Sequence, residues 1–212
     1  MSEEVKGITF TKGIIPQLLV LAFFWLTPVY INLILIKQLS AIDATRALLM
    51  AIGIAGVMTF QHQLHRFYGS SSVKEPGNME VGLAGLGVGL VAGIALTFIS
   101  THLLWIWAST GLALTALYTI SRRWIYSNEF IVGLVYTCML LGAYTVFNVA
   151  LLPPLGTLVL FIGLGQFIGL MDFAYRVITG DYGCPVPQET LSKLVLWLFV
   201  TLMVIGAGMV LM

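Results

Sequence analysis

The chain has 212 residues, of which 59% are hydrophobic and only 9% are charged, and its formal net charge is +1. Soluble globular chains carry roughly 25% charged residues, so this composition excludes a soluble catalytic domain and a nucleic-acid-binding module. The mean hydropathy of +0.99 predicts instead an all-α, polytopic membrane helix bundle. We interpret residues 1–212 as a single transmembrane domain.

Seven apolar stretches follow one another along the chain, each close to the ~20 residues that a helix needs to cross a bilayer. We expect them to be a polytopic, seven-helix transmembrane bundle. The predicted spans are about Ile14 to Ile36, Ala41 to Phe60, Val81 to Ser100, Leu103 to Ile120, Phe130 to Leu152, Leu155 to Phe173 and Leu191 to Leu211.

Basic residues are unevenly divided between the two sides of this bundle. Eight lie on the side of the N-terminus, and two, Lys37 and Arg46, lie on the other side. Because short cytoplasmic loops are enriched in Lys and Arg, we expect a cytoplasmic N-terminal tail at 1–13 and cytoplasmic loops at 61–80, 121–129 and 174–190. After seven spans, the C-terminus is then on the opposite side of the membrane.

Glycines recur at helical spacing in two of the predicted spans. Gly85, Gly89 and Gly93 repeat every four residues in span 3, and Gly165 and Gly169 do so in span 6. Glycine faces allow helix backbones to approach closely, so we predict that these residues mediate helix packing. The alternative is a glycine face that lines a flat prenyl or pigment tail.

The predicted cytoplasmic loops contain the residues suited to chemistry. His62 and His65 share a helix face but are too few for a closed zinc site, which leaves a polar interface or head-group binding. Asp172 and Asp181 suit Mg²⁺, which is held by carboxylates together with substrate phosphates, but solvated loop acids are an equal alternative.

A pair of arginines and its aromatic neighbours form the second loop. Arg122 and Arg123 precede Trp124 and Tyr126. Such a run is typical of a basic anchor beside an aromatic belt at the membrane interface. The alternative is a phosphate clamp, since guanidinium groups pair well with phosphate oxygens.

Three stretches together resemble the UbiA-type intramembrane prenyltransferases, over about Phe60 to Met212. In that family a Tyr–basic–Arg–aromatic run precedes a Gly-Leu-bearing span, and a second motif has an Asp, a Tyr three residues later and further acids. Asp172, Tyr175 and Asp181 match the second motif. The stretches are QHQLHRFYG (Gln61 to Gly69), LYTISRRWIYSNEFIVGLVYTCMLLGAY (Leu117 to Tyr144) and MDFAYRVITGDYG (Met171 to Gly183).

The first motif of the family departs most in this chain. The family pattern is Asn-Asp-x-x-Asp-x-x-x-Asp, and the resemblance implies that these aspartates hold Mg²⁺ on a prenyl diphosphate. Here Gln61, His62, His65 and Gly69 occupy those positions, so no carboxylate is present. Neutral His is a poor ligand for hard Mg²⁺. We also expect seven spans where the family has nine, which leaves a gap in the helix ring for a partner.

We therefore interpret the chain as a degenerate, shortened UbiA-like protein of a bacterial inner or photosynthetic membrane. Its predicted function is non-catalytic, as a structural or assembly subunit that binds an isoprenoid tail of a quinone, a carotenoid or a (bacterio)chlorophyll. Its expected partners are membrane lipid and another membrane protein, with no nucleic acid.

The alternative is a divergent Mg²⁺-dependent prenyltransferase, in which Asp172 and Asp181 hold the metal. The diphosphate, or a head group in the non-catalytic case, is then bound by His62, His65, Arg66, Arg122, Arg123 and Tyr175. A third possibility is a small transporter, but the spans contain almost no charge and lack repeated broken helices.

Overall fold

The structure is a computed structural model that describes residues 26–34, 40–68, 78–121, 129–179 and 188–212. These residues form seven helical segments and contain no strand, so the predicted all-α class is confirmed for them. The segments are α1 (26–34), α2 (Ala41–Tyr68), α3 (Met79–Ile99), α4 (Leu104–Ser121), α5 (Glu129–Asn148), α6 (Leu155–Thr179) and α7 (Gln188–Leu211).

Among the described residues, three helical stretches are long and apolar enough to cross a membrane. They are Ala41–Leu64, Met79–Ile99 and Phe130–Asn148, with mean hydropathies of 1.6, 2.1 and 2.0. Leu155–Met171 and Val195–Leu211 are apolar but shorter. The helices of the described part therefore have the length and composition of a helical membrane protein.

Side-chain caps define where α2 and α3 begin. The Ser40 hydroxyl donates to Asp43 Oδ2 at 2.7 Å, and the Asp43 amide donates back to Ser40 Oγ at 3.2 Å. Asn78 Oδ1 accepts from the amides of Glu80 and Val81 at 3.0 and 3.2 Å. Both arrangements satisfy N–H groups that the first turn of a helix leaves without an internal partner.

Consecutive helices from α2 to α7 run antiparallel. Gly82 and Gly85 of α3 meet Gln63 and Gly56 of α2, so positions rise along one helix as they fall along the other. Gly156 and Gly163 of α6 meet Leu211 and Ile205 of α7 in the same way. Contacts between α4 and α5 and between α5 and α6 follow the same pattern. The ends of α2, α4 and α6 therefore share one end of the bundle, which we call the loop end; α3 joins α4 at the opposite end, the turn end.

Helix α5 lies at the centre of the bundle. In its membrane-length window 72% of the residues are buried, compared with 22% for the equally apolar α3. The core cluster around it includes Val29 of α1, Met58 of α2, Tyr118 of α4 and Ile168 of α6. Asn32 Nδ2 also ties α1 to α5 by donating to the Leu140 carbonyl at 3.2 Å.

The helices do not end where the predicted spans end. Residues 61–68 and 174–179, predicted as loop, form the last turns of α2 and α6, and 188–190 begin α7. Conversely, α5 stops at Asn148 although its apolar run continues to Leu152. Hydropathy follows the thickness of the bilayer, whereas a helix continues until its hydrogen-bond ladder stops. Polar residues with good helix propensity therefore extend α2 and α6.

Candidate functional site

Glycine residues bring α2 and α3 into backbone contact. A Cβ atom placed on Gly56 would lie 2.8 Å from the Gly89 nitrogen, and one on Gly85 would lie 2.8 Å from the Gly56 carbonyl oxygen. Real Cβ atoms do not approach backbone atoms this closely. Helices α2 and α3 therefore form a tightly joined pair, as glycine faces permit in membrane helices.

The second predicted glycine face, on α6, lies against α5. A Cβ on Gly165 would be 2.7 Å from the Gly133 carbonyl oxygen, and Gly169 is also buried. Gly133 in turn makes room for Gln166, since a Cβ there would be 2.6 Å from the Gln166 Cδ. These small residues thus allow the backbones of α5 and α6 to approach closely.

A cavity lies between the α2–α3 pair and the α4–α5 pair. We call it the α2–α5 cavity; its volume is about 110 Å³. Five glycines line it together with many larger apolar side chains, and Thr115 and Cys138 are its few polar side chains. The glycines are Gly53, Gly89, Gly93, Gly111 and Gly142. Such a lining suits an apolar occupant.

Two tryptophans of α4 help to form the cavity at the turn end. The Trp105 ring lies on Gly93, where a Cβ would be 2.8 Å from its Cη2 atom, and its Nε1 donates to Thr97 Oγ1 at 3.0 Å. Trp107 Nε1 donates to the Leu151 carbonyl at 3.2 Å. Because both indole N–H groups have partners, the rings present only their apolar faces to the cavity.

The cavity is partly open at the surface of the bundle. Leu90, a lining residue of α3, is 43% exposed. Helices α3 and α4 approach each other mainly near the turn end, where Trp105 packs on Gly93. An apolar chain can therefore enter from the side of the bundle and leave most of its length outside.

Comparison with known proteins gave no match: no family model, curated protein or solved structure matches the chain. The candidate site consequently depends on the geometry of the described residues and on their chemistry.

The residues predicted for head-group or metal binding fall at the loop end or outside the described part. His62, on the exposed side of α2, belongs to the described residues, and His65 and Arg66 follow it in the same helix. Asp172 and Tyr175 lie three positions apart near the end of α6. Arg122, Arg123 and Asp181 lie outside the described residues.

No group of three or more His, Cys, Asp or Glu side chains comes together within the part of the chain that the structure describes. The topology nevertheless brings the described ends of α2, α4 and α6 to one end of the bundle. The metal-binding and head-group-binding roles of these residues remain a prediction.

Several residues of the cavity were not singled out from the sequence. Gly53, Gly111 and Gly142 each lie in a separate span, without the four-residue repeat that drew attention to α3. The signal in the sequence is that these small residues lie at similar depths in neighbouring antiparallel spans.

Proposed function

We propose that this protein is a non-catalytic, UbiA-like membrane subunit, structural or assembling in role, that holds the isoprenoid tail of a quinone, a carotenoid or a (bacterio)chlorophyll. The observation that carries the proposal is the α2–α5 cavity, which is apolar, glycine-lined and open at its side. An isoprenoid tail matches these three properties, because it is an apolar chain with methyl branches.

The size of the cavity favours a tail over a pigment ring. An apolar cavity of about 150 Å³ holds one benzene ring, so 110 Å³ suits a group of about four or five carbons by the same scale. That is the size of one isoprene unit. A tetrapyrrole ring is several times larger, so a chlorophyll would enter through its tail and leave its ring outside.

The absence of enzymatic activity is proposed from the first family motif. The segment Gln61 to Gly69 contains no carboxylate, and His is poorly suited to Mg²⁺. Without the metal, ionisation of an allylic diphosphate loses several kcal/mol of charge stabilisation. We therefore expect no prenyl transfer from this chain.

The alternative remains a divergent Mg²⁺-dependent prenyltransferase. It is favoured by the convergence of the ends of α2, α4 and α6, with Asp172 and Tyr175 one turn apart on α6. In this case Asp172 and Asp181 hold Mg²⁺, and the bound metal supplies charge neutralisation at the diphosphate. His62, His65, Arg66, Arg122 and Arg123 then bind the phosphate oxygens.

The proposed placement is a seven-span bundle in a bacterial inner or photosynthetic membrane, with the N-terminus in the cytoplasm. The proposal rests on eight basic residues against two. A topology reporter fused at Gly77 should be active on the cytoplasmic side, and one fused at Met212 on the opposite side. Cytoplasmic activity at Met212 would contradict the seven-span arrangement.

A second membrane protein is the proposed partner, in addition to bilayer lipid. The side opening of the cavity and the exposed apolar faces of α3 and α7 support an association within the membrane. Extraction in mild detergent followed by native mass measurement should show a co-purifying polypeptide. A stable chain that purifies alone would argue against a permanent partner.

The tail-binding proposal is tested by filling the cavity. Gly111→Leu places an isobutyl group in the cavity, with its Cβ 3.6 Å from the Cys138 Cβ, an ordinary contact. Gly87→Leu is the matched control, because a Cβ at Gly87 has no atom within 4 Å. Lipids extracted from purified protein should include an isoprenoid in the wild type and in Gly87→Leu, and much less of it in Gly111→Leu. Equal amounts in both variants would contradict the proposal.

The enzymatic alternative is tested with the same preparations. Purified protein with Mg²⁺, a prenyl diphosphate and a range of aromatic acceptors should show no turnover above background. If turnover appears, Asp172→Asn should abolish it when the divergent metal site is responsible. Turnover that persists in the double variant of Asp172→Asn and Asp181→Asn would exclude the proposed metal site.

A further inference from the structure

Gln61 is a buried amide with an unused hydrogen-bond acceptor. The residue is only 8% exposed, and its Oε1 atom has no hydrogen-bond partner among the described residues. Burying an amide oxygen without a donor costs about 1–3 kcal/mol. A partner for this oxygen is therefore to be expected from beyond the described residues.

Gln61 continues the stripe of α2 that faces the cavity. Met50, Ile54 and Val57 line the α2–α5 cavity, and Gln61 follows Val57 by four residues on the same face. Its Cα lies about 6 Å further along the helix axis, at 1.5 Å per residue. Gln61 thus stands one turn beyond the loop end of the cavity.

Helix geometry directs the Gln61 side chain back along α2, over the turn that precedes it. The Cα–Cβ bonds of a helix tilt toward its N-terminus, and long side chains extend over the preceding turn. For Gln61 the preceding turn is the one that carries Val57 and thus the cavity wall. Tyr118 of α4, which is only 2% exposed, follows Thr115 by three residues, and Thr115 also lines the cavity.

We propose that Gln61 Oε1 accepts a hydrogen bond from the hydroxyl head of an isoprenoid, such as a prenyl alcohol or a prenylated hydroquinone, whose first units occupy the α2–α5 cavity. The proposal rests on the tail-binding function above and adds the chemistry of the head. A buried carbonyl oxygen without a partner can accept from an O–H group, but not from the oxygens of a diphosphate, which bear lone pairs and negative charge.

The decisive comparison is between geraniol and its methyl ether, which have the same chain but differ in the O–H donor. Native mass titration of the full-length protein in mild detergent gives the fraction of chains that carry one probe. We expect geraniol to bind about fivefold more tightly than the ether, the effect of one net hydrogen bond. Gln61→Leu should remove this preference while leaving the binding of the ether unchanged.

Gln166→Leu is the matched control for loss of a buried amide. Gln166 is 6% exposed and its Oε1 also lacks a partner among the described residues, but the amide lies against Gly133, on the α5–α6 side. The preference for geraniol should persist in this variant if it folds. A second control, Gln61→Glu, keeps an acceptor at the position and should keep the preference for geraniol.

The possible results distinguish the hydroxyl contact at Gln61 from the binding of the tail in the cavity. Equal binding of both probes by the wild type, abolished by Gly111→Leu, would retain the tail site and overturn the hydroxyl contact. A preference for geraniol that survives Gln61→Leu would place the contact elsewhere and also overturn it. If neither probe binds, both the proposed tail site and the proposed hydroxyl contact are refuted. A prenylated hydroquinone and its dimethyl ether, titrated in parallel, show which hydroxyl-bearing head binds better.

Discussion

The crossing of α2 and α3 should be the position in the bundle where one methyl group is least tolerated. In Gly56→Ala the new Cβ would lie 2.8 Å from the Gly89 nitrogen and 3.2 Å from its Cα, whereas ordinary contact begins at 3.4 Å. The obstructing atoms belong to the backbone, so no side chain can turn aside. The two helices must separate by at least ~0.6 Å, since the Gly85 carbonyl oxygen lies nearer still, and over such a gap close contacts lose about a quarter to a half of their dispersion energy.

The size of this effect follows from comparison with a glycine on an open face. Overpacking of a well-packed contact costs about 1–3 kcal/mol, while replacing Gly by Ala within a helix stabilises it by up to ~1 kcal/mol. Gly87→Ala on α3 has the second effect alone, because a Cβ there has no atom within 4 Å. The difference between the two variants should therefore be about 1–3 kcal/mol and isolates the helix crossing.

Thermal unfolding in one mild detergent, followed by tryptophan fluorescence, measures this difference. For a chain of this size 1 kcal/mol corresponds to roughly 2–4 °C in Tm, so Gly56→Ala should melt about 2–12 °C below Gly87→Ala. Gly85→Ala should resemble Gly56→Ala, because its Cβ would be 2.8 Å from the Gly56 carbonyl oxygen. Equal melting temperatures for all three variants would refute the close crossing.

Three further substitutions probe other contacts by the same measurement. Gly208→Leu should lower Tm strongly, because its Cβ would lie 2.7 Å from the Cα of Leu160 on α6, whereas Gly206→Leu, with no atom within 4 Å, should not; equal effects would contradict the α6–α7 packing. Arg46→Ala should cost about 1.5–3 kcal/mol, since Arg46 Nη2 and Nε donate at 3.0 and 3.2 Å to the last-turn carbonyl of α3; Asp43→Asn, which leaves these bonds in place, should cost less. Val149→Gly should raise stability by about 1 kcal/mol, because the half-exposed Val149 has a φ of 54°, a strained value for a β-branched residue; a lower Tm would show that its side chain contributes more than the strain costs.

The helical class and the approximate position of each described helix could be predicted from the sequence. In lipid, a long apolar segment satisfies the hydrogen bonds of its own backbone by forming a helix. The position of each helix within the bundle was not accessible. Helices α3 and α5 have hydropathies of 2.1 and 2.0, yet α5 is central and α3 peripheral. Lipid is as apolar as a protein core, so hydropathy cannot separate the two environments.

The candidate site could be predicted only in part from the sequence. The glycine repeat of α3 was visible as a pattern, but its partners Gly53 and Gly56 belong to a span without such a repeat. The cavity arises from the combination of glycines on four helices, which no single stretch of sequence displays. Gln61 was visible as a polar residue, but only burial and the unused Oε1 atom show why it is of interest.

The joining of α2 to α3 has a mechanical consequence. Two helices in backbone contact move as one rigid arm, and the side-chain ties described between this arm and α4–α5 cluster at the turn end, where Trp105 donates to Thr97 and Ser100 donates to the Val146 carbonyl. A helix pair that is held by hydrogen bonds at one end can rotate about that end. Movement of the arm about the turn end would widen the cavity at the cost of the apolar cluster that joins Met58 to Tyr118 nearer the loop end, while the glycine contacts between α2 and α3 stay intact.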